Sequence, residues 1–270
     1  VAQEHRHREG DEGATGHEQS RAPAGRGALV VAVALATGTS APAADRFTAP
    51  LLIASLGALQ GWDAMMAFAY NMGPNAEPQR LNRRVTWTDP ALVALAPAAA
   101  LLYRRGDVRP AEKTYAIRPS VDQVWGEARN ATNSATLRTL PERSKIVLEL
   151  PDHPDLSWDR PRPAPADAIE VRDLDRDFVP EGSSAIESDT GELRRDWVQG
   201  VQTIDTARTQ AASGWIGGRR VELGDVIVEI ETPKAAVVVS ALDDRPIATS
   251  ELLLVTAVAR STPDPARGGG

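Results

Sequence analysis

The chain contains no cysteine in 270 residues. Disulfides, thiolate metal sites and a cysteine nucleophile are therefore excluded, although this absence does not decide the compartment. Lysine is scarce too: Lys113, Lys145 and Lys234 are the only lysines among 30 basic residues. With the excess of Ala, Pro and Gly, the arginine bias fits GC-rich coding better than an arginine-based function. Positive charge is in deficit, with a formal net charge of −7 and a pI near 5.2. That balance, without a basic stripe, argues against a nucleic-acid partner. Histidine is confined to the N-terminal tail except for His153, so the pair Ser183-Ser184 has no sequence support as a hydrolase nucleophile. His5, His7 and His17 lie in a polar stretch with no scaffold to hold a metal, so no metal or other cofactor is expected.

What is present is organised around residues 48–71, TAPLLIASLGALQGWDAMMAFAYN. Leu52, Leu56 and Leu59 recur at helical spacing behind Pro50, which suits a first turn. Gln60-Gly61-Trp62-Asp63 breaks that period. Ala64 to Tyr70 then forms a near-continuous apolar run of strand length, as in a sheet covered on both faces. Upstream, residues 1–27 carry no hydrophobic period and read as a disordered tail. The run ALVVAVALA at 28–36, preceded by Arg21 and Arg26 and followed by Ala-Pro-Ala at 41–43, has two readings. One is a secretory signal, placing the protein in the extracellular space or periplasm. The other is a buried parallel strand, which leaves a cytoplasmic location open. The run is too short for a transmembrane segment.

Asp89-Pro90 predicts a helix start, with Asp as N-cap and Pro in the first turn. The helix runs through ALVALAPAAALLYRR to Gly106, which suits a C-cap after two arginines. Pro97 within it predicts a kink or restart. Beyond Gly106, strands are expected at 114–117 and 146–150, a helix at 120–138, and a Pro-rich loop at 152–167. The last hundred residues alternate short apolar runs with turn signals, the pattern of an antiparallel sandwich. Among these signals are strands at 192–196, 201–205, 226–231, 235–240 and 252–259, with the last two flanking Leu242-Asp243-Asp244-Arg245-Pro246. Residues 261–270 read as a second tail.

Five segments, GALQGWDAMMAFAYN, DPALVALAPAAALLYRRGDV, SDTGELRRD, TIDTARTQAASGWIGG and LDDRPIATSELLLVTAVAR, carry a resemblance in that order. They resemble the C-terminal part of bacterial cellulase-like glycoside hydrolases. That family has a (β/α)8 barrel of the large retaining-glycosidase clan with a β-sandwich packed behind it. The resemblance implies an α/β plus all-β chain: a barrel remnant over 28–106 and a β-sandwich over 107–260. It places helix 7 at 48–60, strand 8 at 65–70 and helix 8 at 89–105. The family's two catalytic carboxylates lie after strand 4 and at the end of strand 7. No Glu or Asp occurs between Glu18 and Asp45, where strand 7 should end, and a full barrel needs about 200 residues or more. The resemblance therefore implies a truncated or frame-disrupted enzyme with no catalytic residue assigned.

If that family applies, the partner is a polysaccharide or oligosaccharide, and Tyr70 and Asn71 are the substrate-binding candidates because they end strand 8. Phe68 points the same way as Tyr70 and reads as barrel filling. Trp62 and Asp63 have sugar-binding chemistry but precede the strand, at the barrel face where residues serve stability. Asp189, Glu192, Asp196 and Asp205 suggest paired carboxylates or a Ca²⁺ site, against a plainer reading as solvated sandwich positions. Trp197 and Trp215 suggest a sugar platform, against a plainer reading as packing. Asn130-Ala131-Thr132 matches the glycosylation triplet, which chance also produces. The alternative from a different class is a non-catalytic β-sandwich that binds carbohydrate or serves as a packing module.

Overall fold

The computed structural model describes residues 31–34, 46–67, 89–152 and 163–259. Both expected tails and most of the Pro-rich loop lie outside these residues. Mixed helices and strands make up the described chain, with a six-stranded antiparallel sheet as the largest element.

β1 (Val31–Ala34) pairs in parallel with β2 (Ala64–Ala67), Val31 opposite Ala64. Between them runs α1 (Ala49–Gln60), giving the strand–helix–strand order that a parallel pair requires. This pairing is the arrangement that the strand reading of 28–36 calls for. Gly61, at φ 65°, closes α1, and its N–H reaches the carbonyl of Ala58 at 3.0 Å. A left-handed residue at that position is the common reason for glycine after a helix.

α2 (Pro90–Arg105) begins as its sequence predicts: the Asp89 carboxylate accepts from the N–H of Ala91 at 3.1 Å and of Leu92 at 3.4 Å. Gly106, at φ 64°, ends it. Pro97 does not divide the helix. It and Val93, whose carbonyl loses its helical partner, lie on the exposed face, where water can take the bond. Ala91, Leu95, Ala98, Ala99 and Leu102 recur on the opposite face and are buried.

Next comes a three-stranded parallel sheet in the order β4-β3-β5, built from β3 (Thr114–Ile117), β4 (Lys145–Leu148) and β5 (Ile169–Val171). Here the structure departs from the expectation of an all-β region from 107 onward. The connections from 117 to 145 and from 148 to 169 are too long for hairpins and long enough for crossovers. The first crossover contains α3 (Ala135–Arg143), later than the helix expected at 120–138. Ser134 sets that start, its hydroxyl accepting from Leu137 N–H at 3.2 Å. The segment before it forms only a π-turn at Asp122–Gly126 and an Asn-rich turn. In that turn the Asn130 side chain accepts from Thr132 N–H at 2.8 Å.

The six-stranded sheet contains β6 (Ala185–Glu187), β7 (Leu193–Asp196), β8 (Val201–Asp205), β9 (Thr209–Gly214), β12 (Ala235–Ala241) and β13 (Leu253–Ala259). Their spatial order is 13-12-9-8-7-6, antiparallel throughout. β10 (Arg219–Glu222) and β11 (Ile227–Ile230) form a separate hairpin. The strands expected in the last hundred residues are present, but the described residues form one six-stranded sheet and this hairpin rather than two facing sheets. Helices cover one face of the large sheet: Leu51 and Leu59 of α1, Leu95 and Leu102 of α2, and Leu193, Ile204, Ala236 and Val238 share one core. A second core joins Ile117, Leu140, Val171, Leu174 and Ile186 around the parallel sheet.

Two buried polar side chains fasten these layers. The Gln60 amide nitrogen donates to the carbonyls of Pro141 and Ser144, each at 2.8 Å, and its oxygen accepts from Ile146 N–H at 3.0 Å. This ties the end of α1 to the junction between α3 and β4. Asp107, with its side chain only 1% exposed, accepts from Arg105 Nη2 at 2.5 Å and from the Thr209 hydroxyl at 2.7 Å. It ties the end of α2 to β9.

Gln60→Ala should destabilise the chain by roughly 2–3 kcal/mol in denaturant titrations, because one buried and two part-buried backbone groups lose their partner. Asp107→Ala should cost about 2–4 kcal/mol by the same measurement, tempered by the water that Arg105 still reaches.

Candidate functional site

The organising Gly-Trp-Asp turn opens onto a cleft of about 410 Å³ at the ends of α1 and α2. Trp62, Asp63, Tyr103, Arg104, Val108 and Pro110 line it. The turn that closes α1 places Trp62 there: its N–H bonds the carbonyl of Gly57 at 2.9 Å. The Tyr103 hydroxyl donates to the carbonyl of Trp62. Burial first, then the nearby charge of Asp63, raises the Tyr103 pKa above its ordinary value, so the phenol keeps its proton. Trp62 is half-buried and Asp63 exposed. An indole, a carboxylate and a guanidinium around an open hollow can stack an apolar ring face and bond hydroxyls. A retaining glycosidase needs two carboxylates about 5 Å apart, and among the described residues Asp63 is the only carboxylate lining this cleft. The cleft also lies at the N-terminal end of β2, where a barrel keeps residues for stability.

Tyr70 and Asn71, the substrate-binding candidates, lie outside the described residues, as do Phe68 and His153. The other candidates are placed, and the structure separates them. Asp189 accepts from the N–H groups of Glu112 and Lys113, each at 3.0 Å. Glu192 accepts from Arg109 N–H at 2.7 Å and Arg109 Nε at 2.8 Å. Both therefore clamp the segment leading into β3. Asp196 accepts from Gln199 N–H at 2.9 Å and the Ser184 hydroxyl at 3.0 Å, holding the turn between β7 and β8. Burial opposes its ionisation, but these bonds and Arg194 together hold its pKa below the usual aspartate value. Asp205 accepts from Gly224 N–H at 3.0 Å, anchoring the β10–β11 hairpin. Among the described residues no group of three or more His, Cys, Asp or Glu side chains is arranged to hold a metal ion. Ser183 bonds the backbone of Ala185 and Ser184 bonds Asp196, so both act in a turn.

The tryptophans are engaged by cations. Lys234 Nζ lies 4.0 Å above the half-exposed ring of Trp215. Arg138 and Arg195 lie 5.8 and 5.7 Å from the ring centre of Trp197. Beside Trp197 sits Glu142, which the sequence reading did not single out. Its side chain is 11% exposed and accepts from Arg195 Nη1 at 2.6 Å. Burial raises its pKa above the usual glutamate value, with Arg195 and Trp197 only partly offsetting the effect. No local signal marks this group, since Glu142 and Arg195 are far apart in sequence and meet only when α3 packs near β7.

Compared with family models, with curated proteins and with solved structures, the chain matches none of them. Among the described residues, no helix is long and apolar enough to cross a membrane.

A carboxyl whose folded pKa is raised binds its proton more tightly in the folded state. Its stabilising contribution is therefore present at low pH and declines as pH rises through the raised value. Wild type should lose melting temperature relative to Glu142→Gln as pH goes from about 4 to about 8, and the opposite slope would refute the assignment.

Proposed function

We propose that this chain is the C-terminal portion of a secreted, retaining, cellulase-like glycoside hydrolase, inactive in isolation. In this reading, residues 28–106 are the last part of a (β/α)8 barrel and the later strands belong to the β-rich domain packed behind it. The observation that carries the reading is the β1–α1–β2–α2 order with a parallel β1–β2 pair, its helices covered by an antiparallel sheet. A barrel ends in that order, and its outer helices offer the apolar face that a following domain can cover. The substrate would be a polysaccharide or oligosaccharide, contacted by Tyr70 and Asn71 at the C-terminal end of the last strand. O-glycosyl hydrolysis would use carboxylates supplied by other barrel strands.

A second reading, a non-catalytic packing or carbohydrate-binding module, is favoured by the use of the sheet's inner face to cover α1 and α2. Reading the genomic DNA upstream in all frames separates the two. Coding sequence for the earlier strand–helix repeats, with an in-frame Asn-Glu strand end and a second strand-end Glu, supports the hydrolase. DNA that encodes no barrel leaves only the module. The purified chain should release no reducing sugar from soluble β-glucans; turnover by the chain alone would overturn the assignment of its catalytic groups elsewhere.

A further inference from the structure

The cleft beside the Gly-Trp-Asp turn lacks the second carboxylate of a glycosidase, yet its aromatic wall is held ready for a ligand. Trp62 is fixed there at three points. Its N–H donates to the Gly57 carbonyl at 2.9 Å, its own carbonyl accepts from Tyr103, and its ring lies along α1 where Gly57 leaves room. A Cβ at Gly57 would stand 3.3 Å from Trp62 Cε3 and 2.5 Å from Met65 Sδ, so the bare backbone lets both side chains settle on the helix. The half-buried indole is thus in place before a ligand arrives, which lowers the ordering cost of binding.

The charges around the ring decide what it can hold. α1 and α2 both end at this cleft, at Gly61 and Gly106, and their last carbonyls carry partial negative charge. Asp63 adds a full one. All three disfavour a phosphate or carboxylate ligand. A cation fares no better. The exposed guanidinium of Arg104 lines the cleft, and Lys145 Nζ lies 3.4 Å from where a Cβ on Gly61 would be. These opposed charges favour a neutral ligand that both donates and accepts hydrogen bonds.

Shape narrows the class further. Gly61, Asp63, Arg104, Gly106 and Pro110 are all exposed, so the cleft leaves much of its occupant in water. An apolar small molecule needs about 70–90% of its surface enclosed, whereas a sugar tolerates a wet edge. A pyranose with equatorial hydroxyls presents a flat face of C–H groups to an indole, and its hydroxyls can accept from Arg104 and donate to helix-end carbonyls. An axial hydroxyl interrupts that face.

We propose that this cleft is a non-catalytic binding site for a neutral saccharide of gluco configuration, its ring stacked on Trp62 and its hydroxyls bonded by Arg104. The proposal rests on the carbohydrate partner proposed above, not on hydrolysis. It seats the sugar before β2, whereas Tyr70 and Asn71 follow that strand in sequence.

Titration of the full chain with cellotetraose, read from the tryptophan indole N–H signals by NMR, tests this. The signal that is missing in Trp62→Phe should shift, with saturation by about 10 mM. By isothermal titration, Trp62→Ala should weaken binding about tenfold and Arg104→Ala about fivefold, while Trp62→Phe keeps most of it and Trp215→Ala all of it. A β-linked galactotetraose and a tetraglucuronate should each bind more weakly than cellotetraose. Three results would overturn the proposal: an unmoved Trp62 signal, full binding by Trp62→Ala, or binding lost in Tyr70→Ala but kept in both Trp62 and Arg104 variants. Tighter binding of the tetraglucuronate would equally overturn it. None of these outcomes touches the hydrolase reading, which stands or falls on the upstream DNA.

Discussion

Asp107 keeps an almost waterless carboxylate just past the C-terminal end of α2, where the helix dipole disfavours negative charge. It is tolerable only because Arg105 and Thr209 supply hydrogen bonds, with Arg208 Nε 3.9 Å away adding charge. Those partners come from the helix end and from the sheet. Thr209 in turn contacts the Ser240 hydroxyl at 3.1 Å, carrying the connection to β12. One carboxylate oxygen, Oδ2, gains both bonds only when helix and sheet are in register, so the group selects one docking of the two layers while apolar contacts supply the attraction. Gln60 does the same for the parallel sheet without any charge. One layer of helices is thus pinned at two helix ends, by one ion-paired group and one amide.

Much of the chain was legible locally. The Asp89-Pro90 start and Gly106 stop of α2 rest on caps a few residues long. β3 occupies the expected residues, and the β12–β13 hairpin follows from alternation and turn chemistry. What failed to show was anything set by distant partners. β3, β4 and β5 look like isolated short strands, and their parallel order depends on crossovers whose helix is capped by a single serine. The role of Gln60 was hidden for the same reason: it looked like a residue interrupting a helical period, and its partners lie more than 80 positions away.

The candidate carboxylates teach a related lesson. Asp189, Glu192, Asp196 and Asp205 are close in sequence, yet they turn to three different backbone segments, only Asp189 and Glu192 sharing one. A strand alternates its faces and a turn reverses its direction, so sequence proximity in such a region carries little spatial information. Sustained pairing does carry it, as between β1 and β2. The cleft beside Trp62 shows the converse, because it unites residues of two helix ends that share no motif.

The core that joins Leu51 and Leu59 to Ala236 and Val238 sets an order of events during synthesis. Both helices leave the ribosome long before the strands that cover them have been translated. For that interval their apolar faces and the Asp107 carboxylate lack their final surroundings. Contacts of such wide sequence separation slow folding and prolong the exposure of adhesive intermediates. Nascent chains of this protein should depend on chaperones until β12 has emerged, and any stall in translation before that strand would strand the helices uncovered.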